Sequence, residues 1–307
     1  MTFKSNIDHN IIWTQNGLTV AGANGYGNGL KQLDLPCGVY VDEDQTIYVA
    51  DCENHRILEW RCGATDGQIV AGGNGEGNEM NQLSCPTDVI VDNERNNLII
   101  CDQGNRRVVQ WLRRNGTSGQ TIISNIDCGG LSMDNNGYLY VSDKEKDEVR
   151  RWKMNDRRGT LVAGGNGKGN RLSQLNYPIY IFVDEEHSVY VSDHNNHRVM
   201  KWMEGAKEGI VVAGDQDQGN GLTQLPSPYG LIVDDLGTVY VADSGNHRIM
   251  RWFKGATQGN IVIGGNVKGN QANQLNYPTG LSFDRQGNLI VVDYSNHRVQ
   301  RFNIDRS

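Results

Sequence analysis

One pattern constrains this chain more than any other: a segment of about 22 residues recurs six times. VYVDEDQTIYVADCENHRILEW runs from Val39 to Trp60, and VIVDNERNNLIICDQGNRRVVQW (Val89 to Trp111) repeats it with one extra turn residue. Four further copies follow, Leu131–Trp152, Ile181–Trp202, Leu231–Trp252 and Leu281–Phe302. The second aspartate of each copy forms a ruler: Asp51, Asp102, Asp143, Asp193, Asp243 and Asp293. Four of the five intervals are close to 50 residues, and the third unit is about nine residues shorter. A fixed period of this length means one supersecondary unit stacked repeatedly against itself.

Each unit reads as four short strands. In the first unit these are Val39–Asp42, Ile47–Ala50, Arg56–Trp60 and Gln68–Ala71, separated by polar turns. Runs of this size, rich in Val, Ile and Tyr and bounded by Gly, Asn and Asp, are β-strands. The 38 glycines supply the many tight turns such a chain requires. No unit contains an amphipathic helical stripe, so a helical solenoid is excluded. Four strands per unit, six times over, predict an all-β, six-bladed β-propeller with four-stranded antiparallel blades.

The last unit stops at Ser307 with three strands. Its missing fourth strand lies at the other end of the chain, where Leu18–Ala21 in GLTVAG matches GQIVAG and GTLVAG of the other units. The N-terminal strand is therefore expected to complete the C-terminal blade and close the ring, which removes exposed sheet edges. The propeller is assigned to residues 18–307, with residues 1–17 as a separate N-terminal segment.

The run Asp-x-x-Asn-His-Arg resembles the NHL repeat, in Asn54-His55-Arg56, Asn196-His197-Arg198, Asn246-His247-Arg248 and Asn296-His297-Arg298. The second unit has Asn105-Arg106-Arg107, and the third departs with Lys146-Asp147-Glu148. The resemblance implies a six-bladed propeller. It implies function only broadly, since NHL domains include binders of RNA, protein and other ligands, and related propellers include lyases and lactone hydrolases.

A group that recurs in nearly every blade serves every blade, so the ruler Asp and the Asn-His-Arg run are read as structural, as are Trp60, Trp111, Trp152, Trp202 and Trp252. The Asn-Gly-x-Gly-Asn loops (Asn24–Asn28, Asn74–Asn78, Asn166–Asn170) echo calcium-binding repeats but have too few carboxylates for a hard cation, Glu76 being the one within these three. Asp215 and Asp217 form the one version with two acidic residues.

Function is sought where the units differ. At the entry to the innermost strand most units carry Gly (Gly38, Gly130, Gly230, Gly280), whereas two carry Asp88 and Tyr180. Tyr229 and His194 occupy neighbouring variable positions. The short third unit is expected to leave a notch by Lys146, Asp147 and Glu148. These seven residues are the candidate ligand-binding set, on the loop face around the channel mouth, for a protein, peptide or other ligand.

A metal-dependent hydrolase or lyase centred in the channel is the alternative. Of seven histidines, four sit in the repeated motif and face different blades, and no nucleophile has a matching base. Calcium is the one cofactor weighed, held by channel carboxylates with Asp88 foremost, although one carboxylate is too few. A basic cluster (Arg113, Arg114, Arg150, Arg151, Lys153, Arg157, Arg158) raises RNA binding, but the net charge of -7 argues against a phosphate-binding protein. No stretch is long and apolar enough to span a bilayer, and a monomer is expected. The six cysteines, all in the first half, contain no C-x-x-C pair and are too sparse for a disulfide scaffold, so most are expected as reduced, buried thiols.

Overall fold

The computed structural model describes residues 11–154, 156–214, 217–265 and 267–306. Met1–Asn10, with His9, and Asp215 lie outside the described residues. The chain forms six four-stranded antiparallel sheets in a ring, a six-bladed β-propeller. Blade I consists of Pro36–Val41, Ile47–Asp51, Arg56–Trp60 and Gln68–Gly72, from the channel outward. The innermost strands of blades II to VI are Pro86–Asp92, Cys128–Met133, Pro178–Val183, Pro228–Val233 and Pro278–Phe283. Each contacts the next, and Pro278–Phe283 meets Pro36–Val41 to close the circle. No helix among the described residues is long and apolar enough to cross a membrane.

Closure occurs as the repeat offset requires. Leu18–Ala21 pairs antiparallel with Arg298–Phe302, in the register Leu18↔Arg301, Thr19↔Gln300 and Ala21↔Val299. The segment before it also belongs to the fold. Trp13 bridges to Ile304, is 1% exposed, and donates its indole N–H to Gly287 O at 3.0 Å.

The core lies between blades. Six buried clusters each join two neighbouring sheets, for example Val39, Val49 and Trp60 of blade I with Ile290 and Val292 of blade VI. The five repeated Trp and Phe302 are all buried. Gly67, at the start of an outermost strand, lies so close to Trp60 that an added Cβ would come within 2.7 Å of the ring. Packing against the indole, rather than backbone freedom, requires Gly there.

The recurring polar residues form one network per blade. Arg56 Nε pairs with Asp51 Oδ2 at 2.7 Å, and its remaining guanidinium N–H groups donate to Asn28 O, Gly29 O and Gln32 O of the preceding Gly/Asn loop. Asn54 Nδ2 donates to Asp51 Oδ2 and to Gly27 O. The loop thus presents a cradle of carbonyls to a buried Arg, and Asp51 neutralises it. Blades II, IV, V and VI repeat the pairing through Arg107, Arg198, Arg248 and Arg298. Blade III lacks both the loop and the Arg. There Lys146 Nζ pairs with Asp143 and Glu148 turns to Arg150.

Each motif histidine ends a short 3-10 turn in the left-handed region, with His247 at φ 55°. Its Nδ1 accepts a backbone N–H from the next blade: Cys85 to His55, Ser227 to His197, Tyr277 to His247 and Leu35 to His297. Asp147 does the same for Tyr177 in blade III. Only a neutral imidazole can accept at Nδ1, and burial lowers the pKa of His197 and His247. A lowered folded-state pKa gives stability that is present above the unfolded value of about 6.5 and lost as pH falls through the folded value. His247→Asn keeps an acceptor and tolerates the left-handed turn. The wild-type melting temperature should therefore fall further than the variant's between pH 7.5 and pH 5, by the worth of one hydrogen bond, about 1 kcal/mol.

The cysteine expectation is corrected. Cys52–Cys85 and Cys101–Cys128 are disulfides, leaving buried Cys37 and exposed Cys62 as free thiols. The reason is geometric: Cys52 and Cys101 flank ruler aspartates, while Cys85 and Cys128 sit at the start of the next innermost strand, so ring curvature brings each pair together. The two bonds staple blade I to blade II and blade II to blade III. Replacing Cys101 and Cys128 by Ser should lower unfolding free energy by about 3 kcal/mol for a closed loop of this length, read from denaturant midpoints.

Candidate functional site

The innermost strands begin earlier than the pattern suggested. They start at Pro36 and its counterparts rather than at Val39, with a bulge after the first residue (Pro36 to Val39 in blade I). Gly38, Asp88, Gly130, Tyr180, Gly230 and Gly280 are therefore strand residues, and all six are buried. The glycines are there because neighbouring strands crowd together: a Cβ on Gly230 would lie 2.1 Å from Thr279 O. Tyr180 departs from this pattern. Its hydroxyl reaches from blade IV to Thr87 O of blade II at 3.3 Å, passing blade III, so its ring lies across the channel. Tyr180 is buried and acts as a seal across the loop-face end of the channel.

Asp88 sits beneath this seal. Its carboxylate accepts Val89 N–H and Leu131 N–H, each at 2.9 Å, and burial pushes its pKa up to about 7 despite those two bonds. Burial also raises the thiol of neighbouring Cys37 to about 12.

Above the seal stands an aromatic arc. Tyr180 contacts Tyr229 at 5.6 Å between ring centroids, Tyr229 contacts His194 at 6.0 Å, and His194 contacts Tyr177 at 5.9 Å. Lys144 Nζ lies 5.6 Å over the Tyr177 ring. His194 Nδ1 is 3.1 Å from Pro228 O, which can only accept, so Nδ1 carries the proton and Nε2 remains an acceptor. Burial lowers the His194 pKa and keeps the ring neutral. Tyr177 is 39% exposed, and Tyr229 and His194 are half-buried.

The structure thus brings together four of the seven candidates, Asp88, Tyr180, Tyr229 and His194. Lys146 and Glu148 stand apart in blade III, engaged by Asp143 and Arg150, whereas Asp147 accepts the backbone N–H of Tyr177 at the end of the arc. Tyr177 completes the arc and was missed. Its signal was its place directly before Pro178, the left-handed position (φ 59°) that projects from the loop face.

Behind the seal the channel opens into a cavity of about 470 Å³. It runs from Asp88 and Tyr180 to turn residues of the opposite face, among them Asn93, Glu94 and Asn135. The residue two places after each seal position lines it: Tyr40, Ile90, Ser132, Phe182, Ile232 and Ser282. This ring was legible in the period-2 alternation of the innermost strands. Among the described residues one group of metal-ligating atoms converges, on Cys52, Glu53 and Cys85, and two of these share a disulfide. In the basic cluster, Arg113 is taken up by Asp42 and Tyr48, Arg150 by Glu148 and Arg151 by Glu204.

Fold and site together define a six-bladed propeller sealed on one face. The NHL repeat model matches residues 33–60, 225–251 and 275–302, in blades I, V and VI of this six-bladed propeller. No curated protein matches it. Among solved structures it is similar to an auxiliary nutrient binding protein from Bacteroides thetaiotaomicron (14% identity, 99% of this chain and 76% of that one, TM-score 0.70). A gluconolactonase from Xanthomonas campestris is also similar (12%, 99% and 98%, TM-score 0.65). So is virginiamycin B lyase from Staphylococcus aureus (10%, 96% and 100%, TM-score 0.61). At these identities the likeness is one of fold.

Proposed function

We propose that this propeller is a non-enzymatic binding module that receives a protein or peptide on its loop face. The observation that carries the reading is the seal: Tyr180 closes the channel there, leaving partly exposed Tyr177, Tyr229 and His194 on a closed floor. Rigid aromatic side chains with a polar edge are the usual anchors of a recognition surface. The neutral Nε2 of His194 offers a hydrogen-bond acceptor at its centre.

The test is selection of a random peptide library on the wild-type protein, with the binders measured against Tyr177→Ala and Tyr229→Ala. Loss of an aromatic anchor should weaken them by at least about tenfold, the equivalent of 1.4 kcal/mol. Binders indifferent to both variants would remove the loop face from the reading. A stoichiometric calcium or zinc ion in the purified protein would instead favour the hydrolase or lyase reading.

A further inference from the structure

We propose that the channel cavity is a second, independent binding site, entered from the turn face, for a small organic ammonium ion with an aromatic or bulky apolar body. The charge of its wall is one-sided. Among the described residues lining it are six carboxylates, Asp88, Asp92, Glu94, Asp134, Asp184 and Glu185, and no Lys, Arg or His. Asp92, Asp134 and Asp184 are met from outside the cavity by Arg95, His187 and Lys201. Among the described residues, none forms an ion pair with Asp88. Its neighbours are the two backbone N–H groups and the apolar wall, and it stands at the closed end, 4% exposed.

Between the acidic rim and Asp88 the wall is apolar and aromatic, with Tyr40, Phe182 and Phe283 contributing ring faces or edges and Tyr180 closing the end. A carboxylate at the blind end of an aromatic-walled cavity matches an ammonium head with an apolar body. The head finds a charge-assisted acceptor, the rings attract the cation, and the body is buried. An anionic ligand of the same shape would meet only like charge. The volume, about 470 Å³, is that of a small-molecule pocket and too small for a folded partner.

The site shares no exposed residue with the loop-face arc, so it stands or falls separately. The probes are 4-phenylbutylamine, 4-phenylbutanol and 4-phenylbutyrate, titrated calorimetrically into the wild-type protein. The amine should bind one to one, at least about tenfold tighter than the carboxylate. Ser282→Trp, which fills the channel at mid-height, should abolish binding of the amine. Asp88→Asn should weaken the amine by at least about tenfold and leave the alcohol unchanged, while Tyr177→Ala on the loop face should leave all three unchanged. If Asp88→Asn does not fold, the amine-to-carboxylate ratio and Ser282→Trp decide. Absence of saturable amine binding, equal affinity for amine and carboxylate, or undiminished binding by folded Ser282→Trp would overturn the proposal.

Discussion

Deletion of residues 1–21 is expected to abolish the cooperatively folded monomer. The deletion removes the outermost strand of blade VI and uncovers the full edge of Arg298–Phe302, whose partners are Leu18, Thr19 and Ala21. It also removes Trp13, which packs against Tyr240 and Phe283 at ring centroid distances of 5.7 and 6.4 Å. Loss of a buried Trp side chain alone costs about 3–5 kcal/mol, and the strand's ladder and Ala21 come on top. Against a total stability of about 5–15 kcal/mol, little would remain. The unpaired edge would in addition favour association. Calorimetry and size-exclusion chromatography check this: no cooperative transition, and higher-order species. A synthetic peptide of residues 11–22 added in trans should restore the transition.

The second large effect is expected at Arg198→Ala. Arg198 and Asp193 are both wholly buried, with Nε 2.7 Å from Oδ2. Burial alone raises the Asp193 pKa, and Arg198 opposes that shift. Removing the guanidinium leaves a buried carboxylate without its counter-charge and strands the carbonyls of Asn170, Arg171 and Gln174, which it now serves. Breaking a buried pair from one side costs about 3–5 kcal/mol. Arg298→Ala, where the Arg side chain is 14% exposed, should cost less because water can replace it. Urea midpoints of the two variants measure the difference.

Much of the fold was legible because the repeat exposes it. Strand count, blade count and the closing strand all follow from one aligned pattern, since every blade must solve the same packing problem with Trp, Gly and the Asp–Arg pair. The coupled losses in blade III follow the same logic: without a Gly/Asn loop there are no carbonyls for an Arg to serve, and Lys146 and Glu148 replace the motif. What was not legible depends on curvature. The disulfides arise from the angle between blades, which no single unit encodes. The seal arises because Tyr180 of blade IV reaches Thr87 of blade II, a relation among residues far apart in sequence. Asp88 and Tyr180 stood out as departures from the repeat, but their role as floor and stopper required the ring. In the basic cluster, the carboxylates that take up Arg113 and Arg151 come from other blades, which the linear sequence does not show.

The central claim is that Tyr180 stoppers the loop face of the channel, and Cys37 reports on it. Cys37 lies at that level, 4% exposed, with its thiol pushed up to about 12 by burial, while free Cys62 is exposed. Labelling the folded protein with a thiol reagent, and locating the label by peptide mass, should find Cys62 modified quickly and Cys37 protected. In Tyr180→Ala, Cys37 should become reactive while the protein stays folded. Rapid labelling of Cys37 in the wild-type protein, or protection that survives Tyr180→Ala, would contradict the seal.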